Sequence, residues 1–153
     1  ENNDIQFIWQ TGKYYYPQVT EAVRAAGELP NLYVTDFIKD MAAAYAASDL
    51  VISRAGAGSI SEFCLLHKPV VLVPSPNVAE DHQTKNALAL VDKQAAIYVK
   101  DSEAEAKLMD VALNTVADDR KLKELSENIA KLALPDSARI IAQEVIKLAE
   151  AEN

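Results

Sequence analysis

The run Pro69-Val70-Val71-Leu72-Val73-Pro74 constrains the fold more than any other stretch of the chain. It has no polar side chain, as in a strand buried on both faces, and such strands belong to parallel sheets. Parallel neighbours cannot be joined by a tight turn, so a crossover must carry the chain back between them. The rest of the sequence supplies the pieces. Ile5-Gln6-Phe7-Ile8-Trp9, Leu32-Tyr33-Val34, Leu50-Val51-Ile52-Ser53 and Ala96-Ile97-Tyr98-Val99 read as four further strands. Helical segments separate them. One starts at Pro17 and runs through Val19–Ala26 to Gly27 as its C′ glycine. The others are the alanine-rich Met41–Ala47, then Ser61–His67, then a segment from about Asp81 to Val91. From Ser102 onward the pattern is helical in three segments, near 103–115, 119–132 and 137–150, with Asp118 and Asp136 as caps. This alternation predicts an α/β fold: a parallel Rossmann-like sheet with helices on both faces and right-handed crossovers.

Ligands of such sheets lie beyond the carboxyl ends of the strands. Four polar stretches, Thr11–Lys13, Asp36–Ile38, Arg54–Glu62 and Ser75–Gln83, all follow strands and so share that edge. Leu50–Glu62 is the most informative of them. An apolar strand breaks at Gly56 and Gly58, restarts at Ser59, and leads through Ser61 and Glu62 into the apolar Phe63, Leu65 and Leu66. Strand, glycine turn and helix N-terminus in that order place unpaired N–H groups and a positive dipole end where an anion can sit. Glycine lets the backbone approach a bulky ligand. Glu62 would repel a phosphate beside it. One turn further in, it can accept hydrogen bonds from neutral hydroxyls such as a ribose diol, which makes the stretch a nucleotide site. The plainer alternative is a connection with Ser59 as N-cap and Glu62 favoured by the helix dipole.

Composition narrows the partners. A chain of 153 residues is one domain or a piece of a larger protein, and at that size it buries roughly 70% of its unfolded surface. Its net charge of −8 disfavours nucleic acid and anionic membrane as partners, so any phosphate is held by local backbone geometry rather than by a basic field. Cys64 is the only cysteine, which rules out an internal disulfide and points to a reducing compartment; on a helix it reads as core. Two histidines and one cysteine cannot build a structural zinc site, and no Asp-x-Asp is present to hold a metal against a diphosphate. No metal and no cofactor is expected. The apolar runs are far short of a membrane span, and no signal peptide is visible.

Four stretches together carry a resemblance. They are Trp9–Lys13 (WQTGK), Val34–Ala42 (VTDFIKDMA), Ser53–Glu62 (SRAGAGSISE) and Asp81–Ala87 (DHQTKNA). In order and spacing they resemble the donor-binding half of the two-domain GT-B transferases of glycosyltransferase family 28, the family of the peptidoglycan N-acetylglucosaminyltransferases. The resemblance implies that residues 1–153 are a partial domain for UDP-N-acetylglucosamine, with the first strand and its Gly-rich turn missing. The backbone around Phe37 and Ile38 would meet the uracil edge, their side chains reading as core at a strand end. Gly56, Ala57, Gly58 and Ser59 would face the diphosphate, and Glu62 the ribose hydroxyls. Asp81, His82 and Gln83 would lie near the N-acetylglucosamine, the amide of Gln83 both donating and accepting. His82 stands where some relatives carry a second glutamine; otherwise Asp81 is a helix cap and His82 merely exposed. Arg54 pairs either with a phosphate or with Glu62.

The resemblance also implies what lies outside this chain. The acceptor-binding N-terminal domain would carry the catalytic base, the lipid-linked acceptor site and the membrane-facing surface. The parent would be a hexosyltransferase on the cytoplasmic face of the bacterial inner membrane, and the piece alone inactive. A start at Glu1, without an initiator methionine, favours truncation. The alternative is a solitary donor-binding subunit, like the small partner of the two-chain transferase of the dolichol pathway; a scaffold domain without ligand is the third reading. In the strand order 3-2-1-4-5-6 the first strand is central. Without it, Ile5–Trp9 and Leu50–Ser53 each lack a neighbour, and they are expected to close the gap directly or to recruit a second copy in a homodimer.

Overall fold

The computed structural model describes residues 5–27, 29–77 and 81–151. The start at Glu1 and the end of the expected polar loop, Val78–Glu80, lie outside the described residues. The elements run β1 (Phe7–Gln10), α1 (Gly12–Ala26), β2 (Leu32–Thr35), α2 (Met41–Ala47), β3 (Val51–Ser53), α3 (Ala57–Leu66), β4 (Val70–Leu72), α4 (His82–Val91), β5 (Ile97–Tyr98), α5 (Asp101–Val116), α6 (Asp119–Ala130) and α7 (Ser137–Ala151). The fold is α/β and every strand pair is parallel, as the buried apolar run requires. The chain divides into two compact units, residues 1–48 and 49–153.

In the first unit β1 and β2 pair from Phe7 opposite Leu32 to Gln10 opposite Thr35. Backbone bonds extend the ladder at both ends, Phe7 N to Asn31 O at 2.8 Å and Thr11 N to Thr35 O at 3.0 Å. Thr11–Lys13 is not a loop. Thr11 occupies the N-cap, and Gly12, at φ +76°, already opens α1. Pro17 therefore sits inside the helix rather than at its start. Its missing N–H removes one early bond of the ladder, while Thr20 returns its hydroxyl to Tyr16 O at 2.9 Å. Gly27 ends the helix as expected, at φ +95° with its N–H on Arg24 O. Asp40 caps α2 by accepting from Ala43 N at 2.9 Å. None of the described side chains of this unit is buried.

In the second unit β4 lies between β3 and β5. Val70, Val71 and Leu72 have no solvent exposure. Val71 and Val73 project to one face, where they join Val99 and meet Ala104, Leu108 and Val111, one stripe of α5. Val70 and Leu72 project to the other and are equally buried, so both faces of the sheet are covered. Helix α3 packs on α6, which also packs on α5; Phe63, Leu125 and Ile129 are the large fully buried side chains of α3 and α6. Asp118 caps α6 through Lys121 N at 3.0 Å, as its position predicts. Asp136 likewise stands at the N-cap of α7, its carbonyl accepting from Ile140 N at 2.9 Å, while its carboxylate accepts from Arg139 Nε at 3.3 Å.

The five strands form two sheets, β1–β2 and β3–β4–β5, not one, and β1 and β3 do not pair with each other. The expected gap thus falls between strands that belong to different sheets, each in its own unit.

Cys64 lies in the core of α3 at 5% exposure, and burial pushes its thiol up from the usual range. The stability linked to it is complete below the thiol's unfolded value and is lost as pH rises through the raised folded one. Modification by Ellman's reagent at pH 8 is expected to be slow in the native chain and to reach free-thiol speed only in denaturant. Rapid native labelling would place Cys64 at the surface.

Candidate functional site

The site is built on the end of β3. Helix α3 starts at Ala57, four residues before Ser61, and its N-cap is Gly56 at φ −67°, ψ 141°, not Ser59. Glycine is an acceptable N-cap, and nothing in Ala57-Gly58-Ser59 stops a helix from starting. The first intrahelical bond runs from Ile60 N to Gly56 O at 3.0 Å. The N–H groups of Ala57, Gly58 and Ser59 precede it, with no side-chain cap upon them. Neither Gly56 nor Gly58 has positive φ, so no tight turn demands these glycines. A Cβ added at either meets nothing within 4 Å. The glycines leave open space over three N–H groups at the positive end of a ten-residue helix. Glu62, exposed, is four residues beyond Gly58 and so on the same helix face, one turn deeper.

The residues around this N-terminus are fixed by α4 and α5. Gln83 Oε1 accepts from Ala55 N at 3.1 Å and from Ser75 N at 2.9 Å. Both partners are donors, which settles the orientation of the amide. The acceptor half of Gln83 is thus used inside the protein, and its Nε2 is left as the only group it can offer a ligand. Asn86, one turn along α4, donates from Nδ2 to Ala55 O at 3.1 Å. The guanidinium of Arg54 is held by protein groups at the strand ends. Its Nη1 is bonded to Asp101 Oδ1, to Val73 O at 3.1 Å and to Pro74 O at 3.3 Å. Arg54 therefore links the ends of β3 and β4 to the first residue of α5.

Asp81 holds the N-cap place of α4 in the left-handed region, at φ +55°, and makes no side-chain capping bond. His82, the first residue of α4, is exposed. Arg54, Gly56, Ala57, Gly58, Ser59, Glu62, His82 and Gln83 all belong to the second unit, on the chain after β3 and β4. Phe37 and Ile38 belong to the first. There the Phe37 side chain is 61% exposed rather than core, because the strand has already ended at Thr35. Ile38 N donates to Gln10 Oε1 at 2.8 Å, so this backbone donor is engaged.

Sequence reasoning missed Asn86 and Asp101. Asn86 stands three residues after Gln83 on a helix, a spacing that puts both on one face. Asp101 follows β5 at the same carboxyl edge as the other strand-end loops, so the sharing of that edge was the signal for it.

The second unit is a parallel α/β domain with an open helix N-terminus at the carboxyl edge of its strands, the place where ligands of such domains commonly lie. Residues 1–141 match the glycosyltransferase family 28 C-terminal domain, and the chain belongs to that family. It is 82% identical over 147 residues to the Bacteroides fragilis UDP-N-acetylglucosamine--N-acetylmuramyl-(pentapeptide) pyrophosphoryl-undecaprenol N-acetylglucosamine transferase, covering 96% of this chain and 39% of that protein. The Phocaeicola vulgatus protein of the same name is 70% identical over 145 residues, with 95% and 39% covered. Among solved structures, Acinetobacter baumannii MurG superposes with a TM-score of 0.78 at 31% identity, covering 92% of this chain and 40% of that one. The chain thus spans about two-fifths of the length of the curated relatives it matches.

The empty Cβ positions separate stability from binding. Gly58→Ala is expected to leave stability unchanged or raise it by up to about 1 kcal/mol, read as an equal or higher melting temperature, since helical Ala outranks Gly. The same change should weaken binding of UDP measured by calorimetry. Unaltered affinity would show that no ligand approaches the Gly58 position.

Proposed function

We propose that this chain is the donor-binding part of a hexosyltransferase that moves N-acetylglucosamine from UDP-N-acetylglucosamine to undecaprenyl-diphospho-N-acetylmuramyl-pentapeptide. The names of the relatives support the substrates. The observation that carries the reading is the open, glycine-lined N-terminus of α3 with Gln83 fixed beside it. In the proposal the N–H groups of Ala57, Gly58 and Ser59, with the glycine at 56 clearing their approach, receive the diphosphate. Glu62, one turn deeper, accepts from the ribose hydroxyls. Gln83 donates from Nε2 to an oxygen of the sugar, and His82 lies alongside. Arg54 holds the strand ends together and does not itself contact phosphate. The assignment of the Phe37–Ile38 backbone to a uracil edge concerns the first unit and is a proposal of its own; Gln10 must release Ile38 N for that backbone donor to serve.

The chemistry follows from those roles. The acceptor hydroxyl attacks the anomeric carbon with inversion, the bond to the diphosphate breaks, and the negative charge that grows on the departing UDP falls on backbone donors already in place. Such preorganised donors suit a chain of net charge −8, where no basic field is available. No base is assigned to the residues of this chain. We place it, together with the lipid-linked acceptor site, in the remaining three-fifths of the relatives' length, and the isolated chain should bind donor without transferring sugar. Association of the parent with the cytoplasmic side of the membrane is peripheral in this proposal. No helix among the described residues is long and apolar enough to cross a bilayer. Pairing of a second copy along the unpaired edge of β1 or β3 completes the proposal, and sedimentation of the chain tests it.

Glu62→Ala decides the ribose role. One charge-assisted hydrogen bond is worth about 1.5–3 kcal/mol, so the dissociation constant for UDP should rise roughly 10- to 100-fold. An unchanged constant would remove Glu62 from the site, and a wild-type chain indifferent to both UDP and UDP-N-acetylglucosamine would remove the function.

A further inference from the structure

We infer that Asn86 is a positioning residue for the diphosphate loop: with Gln83 it grips both backbone polar atoms of Ala55 and so sets the direction in which the N-terminus of α3 points. Ala55 is fully buried, so its N–H and C=O both need partners inside the protein. The β3–β4 ladder cannot supply them all, because β3 ends at Ser53. Two amides one turn apart on α4 meet the need. Gln83 Oε1 receives Ala55 N at 3.1 Å, and Asn86 Nδ2 reaches Ala55 O at 3.1 Å. The N–H lies in the peptide plane before Cα of Ala55 and the C=O in the plane after it. Holding both planes fixes φ and ψ of Ala55, the only two soft angles there.

What comes next is Gly56, the N-cap of α3. Glycine has the widest backbone freedom of any residue, and no side chain caps the helix start. Order in this loop has to be imposed from before the glycine, and the Gln83–Asn86 grip on Ala55 imposes it. Gln83 takes Ser75 N with the same oxygen, so the grip also ties the loop after β4 to the loop after β3. The two amides then differ in role. Asn86 acts only through Ala55, whereas Gln83 has Nε2 left over for a sugar oxygen.

The inference rests on the proposed donor site, and its test is arranged to fail separately from it. Amide hydrogen exchange and calorimetry are carried out on the whole chain as wild type, Asn86→Ala and the near-isosteric Asn86→Asp, which also lacks the donor. Exchange at Ala55 N is expected to accelerate about tenfold in both variants, the equivalent of one hydrogen bond, with exchange at the core residue Ile129 unchanged. Affinities for UDP and for UDP-N-acetylglucosamine are expected to fall by the same factor, about tenfold, so that their ratio stays at the wild-type value. In Gln83→Glu, which keeps the acceptor oxygen and loses the donor, the ratio should shift against the sugar nucleotide. An unchanged Ala55 exchange rate overturns the grip. A loss confined to UDP-N-acetylglucosamine in Asn86→Ala overturns the positioning role and makes Asn86 a direct sugar contact. If the wild type binds neither nucleotide, the donor site fails, and the exchange rates still decide whether Asn86 holds Ala55.

Discussion

The second unit depends on the pairing of β4 between β3 and β5. Three residues with no exposure anchor it, and apolar side chains pack against both of its faces. Complete burial of a Val or Leu side chain is worth about 1.5–3 kcal/mol, so this short strand holds a large share of the unit's apolar stabilisation. Because its neighbours are parallel, the chain must leave all three strands at one edge. Arg54, Ser75 and Asp101 are brought to that edge by topology before any side-chain interaction acts. The tie from Arg54 to Val73, Pro74 and Asp101 then joins what the ladder has already aligned. At 56% side-chain exposure of Arg54, that ion pair adds little to stability by itself. Its effect is to hold loops in register.

The first unit shows the opposite balance. Its two strands carry Ile8, Trp9 and Tyr33 at the surface, and none of its described side chains is buried. A two-stranded parallel sheet is marginal alone, and what orders it here is hydrogen bonding at its ends: Asn31 Nδ2 to Ile5 O, Thr11 to Thr35, and Ile38 N to Gln10. A similar apolar excess marks α7, where Ile141, Val145 and Leu148 recur at helical spacing and are all more than half exposed.

Charge organises the candidate site differently from a basic phosphate pocket. The one arginine near the helix start is turned to a carboxylate and two carbonyls. In the proposed site an anion meets a set of neutral dipoles, three N–H groups at the head of α3, which would leave the negative balance of the molecule unaltered. A ligand held this way depends on geometry more than on salt. In the proposed site Gln83 and Asn86, which bond both backbone polar atoms of Ala55, matter as much as the glycines.

Much of this was legible from residues alone. The run Pro69–Pro74 dictated a parallel sheet, since only burial on both faces tolerates so continuous an apolar stretch. The post-strand polar stretches followed from the same rule, and so did the caps at Gly27 and Asp118 and the buried place of Cys64. Helix starts were less legible. The break at Gly56 concealed a helix that begins at Ala57, because glycine permits an N-cap as readily as a turn. Pro17 looked like a first residue and lies inside α1. Pairings across long separations were not legible at all. Nothing near Arg54 in the sequence announces its bond to Asp101, 47 residues away. Gln83 carried both a donor and an acceptor, and only the placement of Ala55 and Ser75 decided that the acceptor is spent inside the protein. Local patterns determined the elements and the edge at which their loops meet, because periodicity and turn chemistry are written in neighbouring residues. Which polar atom faces which, and hence which remain for a ligand, was decided by tertiary structure, because those distances are set by packing between segments far apart in the chain.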